Sequence, residues 1–342
     1  MKAAILTQQN APLEVANVDL PTLDVGHVLV KIDYSGICGK QLEEVDGKRG
    51  HDRFLPHLLG HEGAGTVTEV GPGGRKVKAG DKVVLHWMKG AGIDSTTPQF
   101  SRDGSPVNAG WVTTFSEYTV VSENRVTPIP ENLDMAAASL LGCAVTTGLG
   151  IVFNNLDLRP GQSIAIFGVG GVGINVIQGA ALVNAYPIVA VDIHDHKLQQ
   201  AMDFGATHTV NSKHTDPESL LKELSGGKGF DGVVDVTGNN SVRQTAYDAT
   251  SNVGRTVFAG VPHHEDKINI DSFPLHFGRT VIGSHGGDTR PDVDIPRYVQ
   301  LFELGRLKLT EQITHRFSLD EINKAVETVR SGTAGRCVIE MS

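Results

Sequence analysis

The sequence predicts an α/β protein in two parts: a β-rich unit, then a doubly wound parallel sheet. Three observations carry this. Up to about residue 145, apolar residues fall in short β-branched runs cut by Gly and Pro turns. From about residue 146, apolar strands alternate with helical stretches, the pattern of βα units in a parallel sheet. The length, 342 residues, suits two domains.

In the first part, residues 27–33 (HVLVKID), 65–70, 82–86 and 116–121 read as strands. Gly71-Pro72-Gly73-Gly74, Ala79-Gly80-Asp81 and residues 128–130 separate them, which suggests a barrel- or sandwich-like unit. Residues 87–115, rich in Gly, Ser, Thr and Asp, read as a long loop. In the second part, residues 163–167, 188–193, 209–210, 232–236 and 256–260 read as strands. Residues 171–185 and 197–204 read as helices. Further on, residues 295–304 and 319–331 read as helices, with Pro296 in the first turn of the former and Gly305 at its end. Residues 336–341 (RCVIEM) close the chain as a strand.

Composition narrows the function. The formal net charge is -9, which argues against a nucleic-acid partner, since phosphate binding needs a basic face. No apolar run reaches the roughly 18 residues of a membrane span. The first residues lack the apolar core of a secretory signal, so the expectation is a cytoplasmic chain without a membrane partner. Three cysteines, Cys38, Cys143 and Cys337, do not make a disulfide framework.

Residues Gly168-Val169-Gly170-Gly171-Val172-Gly173 follow an apolar strand and open a helix. In G-x-G-x-x-G the first glycine permits the turn, the second admits a pyrophosphate, and the third lets helix pack on strand. The helix N-terminus then offers free N–H groups to phosphate. Asp192, 19 positions beyond Gly173, closes the next strand. An acid there accepts from the adenosine ribose hydroxyls and repels a 2′-phosphate, so NAD is expected over NADP. Lys197 either flanks that ribose or is a solvated helix charge. Val261 is placed with the cofactor-binding residues.

Cys38 sits in Gly36-Ile37-Cys38-Gly39, His61 in Gly60-His61-Glu62-Gly63-Ala64-Gly65, and Cys143 in Leu141-Gly142-Cys143. Taken one by one these are two buried thiols and a hydrogen-bonded histidine. Taken together they are a Cys₂His set of the kind that binds catalytic zinc.

GICG, GHEGAG, LLGCAVTTGLG, GVGGVG, VDI and the terminal GRCVIEM occur in this order over nearly the whole chain. The chain thereby resembles the zinc-dependent alcohol dehydrogenases of the medium-chain dehydrogenase/reductase family. Catalytic zinc in alcohol dehydrogenases is of this Cys₂His type. The resemblance implies a GroES-like catalytic domain, 1–146 completed by 286–342, and a Rossmann NAD-binding domain, 147–285. It implies one zinc on Cys38, His61 and Cys143, and hydride transfer between an alcohol and NAD. Glu62 matches the acid beside the metal, which in some states replaces water as a ligand. Thr147 matches a residue packed against the nicotinamide. Arg336 matches a basic residue near the coenzyme pyrophosphate, or else is a surface arginine.

The sequence departs from the family in three places. Residues 87–115 contain no cysteine, so a second, four-cysteine zinc is excluded. Lys40 stands where relatives have a Ser or Thr that passes on the alcohol proton. Like charge and desolvation near a metal would help it release a proton, making it the acid/base itself; alternatively it points away and water carries the proton. Gln41 stands where an Asp usually orients the zinc-bound histidine; it can accept a hydrogen bond but has no charge.

The residues leave the substrate open between an aliphatic alcohol, a polyol and a sugar-like alcohol, paired with its aldehyde or ketone. Trp87 reads as loop packing. His51, His57, His263 and His264 read as surface histidines, and Cys337 as a buried thiol. His285 lies where relatives contact the nicotinamide carboxamide through backbone. A homodimer or homotetramer is expected from the resemblance. Two other readings compete: a zinc-free quinone-type reductase using NADPH, and a non-catalytic NAD-binding protein.

Overall fold

The structure, a computed structural model, describes residues 1–48, 50–263 and 265–341; His264 lies outside them. The chain forms two compact units, Met1–Cys143 with Arg290–Ser342, and Ala144–Thr289.

The first unit begins with β1 (Lys2–Leu6), β2 (Glu14–Asn17) and β3 (His27–Gly36). The short helix α1 (Gly39–Val45) and the two-residue β4 (His57–Leu58) follow. Next come β5 (Glu62–Val70), β6 (Lys82–His86), β7 (Phe100–Arg102), β8 (Ser105–Val107), β9 (Tyr118–Ser122) and β10 (Val126–Pro128). The helix α2 (Met135–Ser139) leads towards Cys143. Its N-cap Asp134 accepts from Ala136 and Ala137 N–H, the usual work of an acidic cap.

β3 is the axis of the unit. Its alternate residues Val28, Val30 and Ile32 are fully buried in the core, as period-two patterning requires. It pairs antiparallel with β5 and β9. The register Ser35↔Gly63 brings the chain just before Cys38 alongside the chain just after His61.

The stretch 87–115 is not the expected continuous loop. Phe100–Arg102 and Ser105–Val107 pair as a hairpin. Asp103 (φ 51) and Gly104 (φ 76) form its turn, the Asp-Gly arrangement that matches the twist of two short strands. The preceding lobe is tied down by hydrogen bonds. Glu123 accepts from the backbone N–H of Ile93 (2.8 Å), Arg75 (2.9 Å) and Lys76 (3.2 Å). Ser122 Oγ accepts from Ser95 N–H at 2.9 Å.

The second unit opens with α3 (Ala144–Gly150), which continues as a π-helical turn over Ile151–Leu156. Then come β11 (Ile164–Phe167), α4 (Gly171–Leu182), β12 (Ile188–Asp192), α5 (Asp195–Asp203) and β13 (His208–Asn211). α6 (Pro217–Leu224), β14 (Phe230–Asp235), α7 (Asn240–Asp248), β15 (Thr250–Phe258) and β16 (Thr280–Gly283) complete it. The sheet order is β13-β12-β11-β14-β15-β16, all parallel. This is the doubly wound dinucleotide-binding order. In β11, Ile164 and Ile166 enter one core cluster while Ala165 and Phe167 enter another. Both faces are therefore covered, which explains the unbroken apolar run.

The remaining elements, α8 (Pro291–Glu303), β17 (Ile313–Ser318), α9 (Ile322–Arg330) and β18 (Arg336–Glu340), belong to the first unit. α8 starts earlier than expected: Pro291 takes the first-turn position and Pro296 lies inside the helix. α9 is preceded by a separate 3₁₀ turn over Leu319–Glu321. β18 pairs with β3 through Val338↔Gly36. Among the described residues, no single helix is long and apolar enough to cross a membrane.

Burial pushes the Glu123 carboxyl up, but the N–H groups of Ile93, Arg75 and Lys76 and the Lys76 charge outweigh it and hold the group below its ordinary value. A depressed folded value means stability present above the unfolded pKa of about 4.3 and lost as pH falls through the folded one. Glu123→Ala should cost about 1–3 kcal/mol at neutral pH. The gap from wild type should narrow steadily in denaturant melts below about pH 4.

Candidate metal and dinucleotide sites

Three distant parts of the first unit meet at one point. Cys38 follows β3 and caps α1, His61 precedes β5, and Cys143 follows α2. Their ligand atoms all lie within 4.8 Å of one another. Tetrahedral zinc, with bonds of about 2.0–2.3 Å, keeps its ligand atoms on the order of 3.5–4 Å apart, so the trio fits this ion. Local backbone makes the convergence possible. Gly60 has φ +94, and a Cβ there would stand 2.4 Å from Thr114 Oγ1. Only glycine delivers His61 at that position.

The thiols differ sharply. The Cys143 side chain, hydrogen-bonded to Cys38, holds the Cys38 thiol well below the ordinary thiol range; burial opposes this, and His61 and Arg336 add to it. Cys337 shows the opposite: burial pushes its thiol up to about 11. One is primed as a thiolate ligand and the other is the inert core thiol expected.

Gln41 supports the trio from below. It is 1% exposed. Its Oε1 accepts from Cys38 N–H at 3.0 Å, completing a capping box on α1. Its Nε2 lies 2.5 Å from His61 Nδ1.

Glu62 is outside the three-residue cluster. It is fully buried, and its Oε1 accepts from Arg336 Nη2. Arg336 is itself 5% exposed, so it is no surface arginine, and its Nη2 is paired within the first unit. A buried pair of this kind is costly to break, because the remaining charge has no water to turn to. The Glu62 carbonyl accepts from Ser35 Oγ (3.1 Å) and Thr114 Oγ1 (3.2 Å).

Lys40 points elsewhere. Its Nζ pairs with Glu44 Oε1 at 3.0 Å and its side chain is 44% exposed. Of the two expectations, this geometry corresponds to the one in which it points away. His57 is not a surface residue: its Nε2 contacts Asp52 Oδ2 at 2.8 Å, and its side chain is 12% exposed. His51 and His263 are exposed, as is His285. Trp87 is half-buried and gives its carbonyl to Arg125, in keeping with loop packing.

In the second unit the glycine hexad joins β11 to α4. Its glycines are required for different reasons. Gly168 has φ +94, closed to most side chains. A Cβ on Gly173 would lie 1.9 Å from Gly168 O, so helix and strand meet there. A Cβ on Gly170, by contrast, would touch nothing within 4 Å. The fold does not demand glycine at 170, whereas close approach by a pyrophosphate does. Gly171 and Val172 form the first turn of α4.

Asp192 ends β12. Its Oδ2 accepts from Val169 N–H at 2.8 Å, tying strand to hexad. Its Oδ1 accepts from Ile193 N–H, His194 N–H and lies 3.0 Å from His194 Nδ1. Lys197 is half-buried on α5, Val261 is 52% exposed, and Thr147 is half-buried on α3.

Two residues of this unit went unread in the sequence. Asp235, fully buried at the end of β14, accepts from Thr237 N–H and Oγ1, Gly238 N–H and Arg243 Nε. Arg243 also reaches the Gly260 carbonyl. Together they fasten the loops that follow β14 and β15, at the strand ends where such sheets bind ligands. The signal available was an acid closing an apolar run, GVVDV, the same signal that marked Asp192.

Comparison with known proteins agrees with this geometry. Residues 24–131 match the alcohol dehydrogenase GroES-like domain, and residues 171–303 match the zinc-binding dehydrogenase domain. The chain is 33% identical over 373 aligned positions to S-(hydroxymethyl)glutathione dehydrogenase of Paracoccus denitrificans, covering 99% of each chain. It is 34% identical over 367 positions to the Escherichia coli O1:K1 / APEC protein of the same name, again with 99% coverage of each. An alcohol dehydrogenase zinc-binding domain protein from Burkholderia ambifaria superposes with a TM-score of 0.93 at 30% identity, over 100% of this chain and 98% of that one. Benzyl alcohol dehydrogenase from Acinetobacter calcoaceticus superposes at 0.91 with 27% identity, over 100% and 99%.

Gly170→Val separates fold from binding. Its φ of -89 suits any residue, and the new side chain begins in open space. The variant should melt within about 1 kcal/mol of wild type yet bind NAD at least about tenfold more weakly in a calorimetric titration. Unchanged NAD affinity would remove the hexad from the coenzyme site.

Proposed function

The chain belongs to the zinc-binding alcohol dehydrogenase family, and from that premise we propose how its residues divide the work. It is a zinc-dependent, NAD-linked oxidoreductase acting on CH–OH groups. Cys38, His61 and Cys143 hold one zinc per chain. Gly168, Gly170, Gly171, Val172 and Gly173 cradle the coenzyme pyrophosphate, and Asp192 takes the adenosine ribose with Lys197 beside it. Thr147 and Val261 border the nicotinamide end of the coenzyme.

When bound, zinc supplies Lewis-acid polarisation of the alcohol oxygen, and NAD supplies the hydride acceptor. The protein supplies position and charge. Cys38 and Cys143, as thiolates, balance the ion's charge, and Gln41 fixes the His61 ring. Glu62 stays paired to Arg336, so the acid next to the trio adds no net charge of its own. Lys40 is tied to Glu44, and water carries the alcohol proton away. The observation that carries the reading is the Cys38–His61–Cys143 cluster within 4.8 Å. A zinc-free reductase or a silent NAD-binding protein has no use for it.

The substrate is a polar alcohol. The segment after Cys38 presents His51 and Arg53 as exposed groups, with Asp52 paired to His57. The relatives from Paracoccus denitrificans and Escherichia coli are named for S-(hydroxymethyl)glutathione, which supports trying a hydroxymethyl thioether beside polyols and sugar alcohols as substrates. The purified chain should carry about one zinc and reduce NAD with at least one alcohol of such a panel. His61→Ala should lose the zinc and about a thousandfold or more of the turnover together. Turnover that survives without zinc would sink this mechanism.

The assembly is a homodimer built on β16. Among the described residues, that strand ends the parallel sheet with one edge unpaired. Phe273 (66%), Phe277 (61%) and Val253 (76%) expose apolar surface around it. An open edge beside exposed aromatics is covered in a stable protein, and a second copy covers it symmetrically. Val281→Lys should shift light-scattering mass from two chains to one; a wild-type chain already at single-chain mass contradicts the dimer.

A further inference from the structure

Asp192 is not alone at the end of β12. Its Oδ1 accepts from the N–H groups of Ile193 (2.8 Å) and His194 (3.0 Å), and His194 Nδ1 stands 3.0 Å from the same oxygen. A carboxylate accepts and has nothing to donate, so Nδ1 carries the proton of that bond. Nε2 is then the end of the ring that gains or loses one. The Asp192 side chain is 8% exposed and the His194 side chain 38%, so the ring forms the outer half of the pair.

An acid at this point turns away a 2′-phosphate by its charge. Imidazole is the side chain whose charge changes between about pH 5 and 8. Neutral, His194 leaves the Asp192 charge uncompensated. Protonated, it cancels that charge and offers an N–H to an anion. The surrounding groups do not do this in its place. Lysine is charged throughout this range, so Lys197 on α5 adds a constant. Asp195 accepts from Asn211 Nδ2 of β13 at 2.5 Å. His196 is exposed, its ring 5.6 Å from that of His194, and among the described residues it makes no bond to Asp192. The titratable residue of β13, His208, starts that strand, at the end away from Asn211, and contacts Tyr186 and Thr207.

We propose that His194 is a specificity-determining residue for the coenzyme: paired with Asp192, it admits a nicotinamide dinucleotide bearing a 2′-phosphate when protonated and excludes it when neutral. The proposal rests on the reading that Asp192 takes the adenosine ribose. NAD, which lacks that phosphate, is served in both states.

The test is a fluorescence titration of the purified chain with NADH and with NADPH at about pH 6 and about pH 8, in wild type and His194→Asn. Asparagine is neutral at both pH values and suits the N-cap position that His194 holds on α5, so the fold is retained. The readout is the ratio of NADPH to NADH affinity, which a structural loss that weakens both coenzymes alike does not move. The 2′-phosphate itself titrates near about pH 6, so the variant is diagnostic and the trend with pH is not. His194→Asn should lower the ratio about tenfold at the lower pH, the effect of restoring one uncompensated charge near the surface, and less than about threefold at the higher. His196→Asn should lower it less than about threefold at both. A ratio unmoved by His194→Asn at the lower pH, or moved equally by His196→Asn, overturns the proposal. So does a wild type that binds NADH and no NADPH at the lower pH. A wild type that binds neither overturns it together with the coenzyme reading.

Discussion

The buried pair between Glu62 and Arg336 is the constraint on which the metal-binding end of the first unit depends. It joins residues 274 positions apart in sequence, one immediately after a metal-binding residue and one at the start of the C-terminal strand. Neither side chain has water to fall back on. The pair therefore works as a lock: with both charges present the strands β5 and β18 are held beside β3, and with one removed a bare charge is left in the core. Cys38, His61 and Cys143 converge only if those strands keep their register, because each residue stands at the end of a different element.

The second unit solves a separate problem by the same economy of means. A parallel sheet with both faces buried presents its loops only at strand ends. Asp192 and Asp235 each close a strand and each accept backbone N–H groups from a neighbouring loop. Carboxylates accept at several points at once, so two residues order the hexad and the loops beside it. A coenzyme bound there as proposed would meet a surface already arranged, which reduces the ordering cost of binding.

Much of this was legible in the sequence, and the parts that were not share a cause. The hexad and Asp192 could be read because strand, turn and helix are local in sequence. The metal trio could be read through the short motifs around each residue. Arg336 was read for its charge but not its partner, since nothing near residue 336 announces a strand pairing that brings it to Glu62. Lys40 was read by position, whereas its direction is set by Glu44, one helical turn on. Glu123 was invisible because its three donors come from two loops that only the fold brings together. The Asp103-Gly104 turn had a local signal, lost in a stretch whose polar composition suggested loop. The sequence reads Pro296 as a first-turn residue because Pro291, which holds that position, precedes the apolar periodicity of α8.

The central claim is that three side chains from three elements form one zinc site. X-ray absorption at the zinc edge of the purified chain tests it most directly. The account predicts two sulfur neighbours at about 2.3 Å and a histidine nitrogen at about 2.0–2.1 Å around a single zinc. A spectrum with only nitrogen and oxygen neighbours, or with four sulfurs, would contradict it.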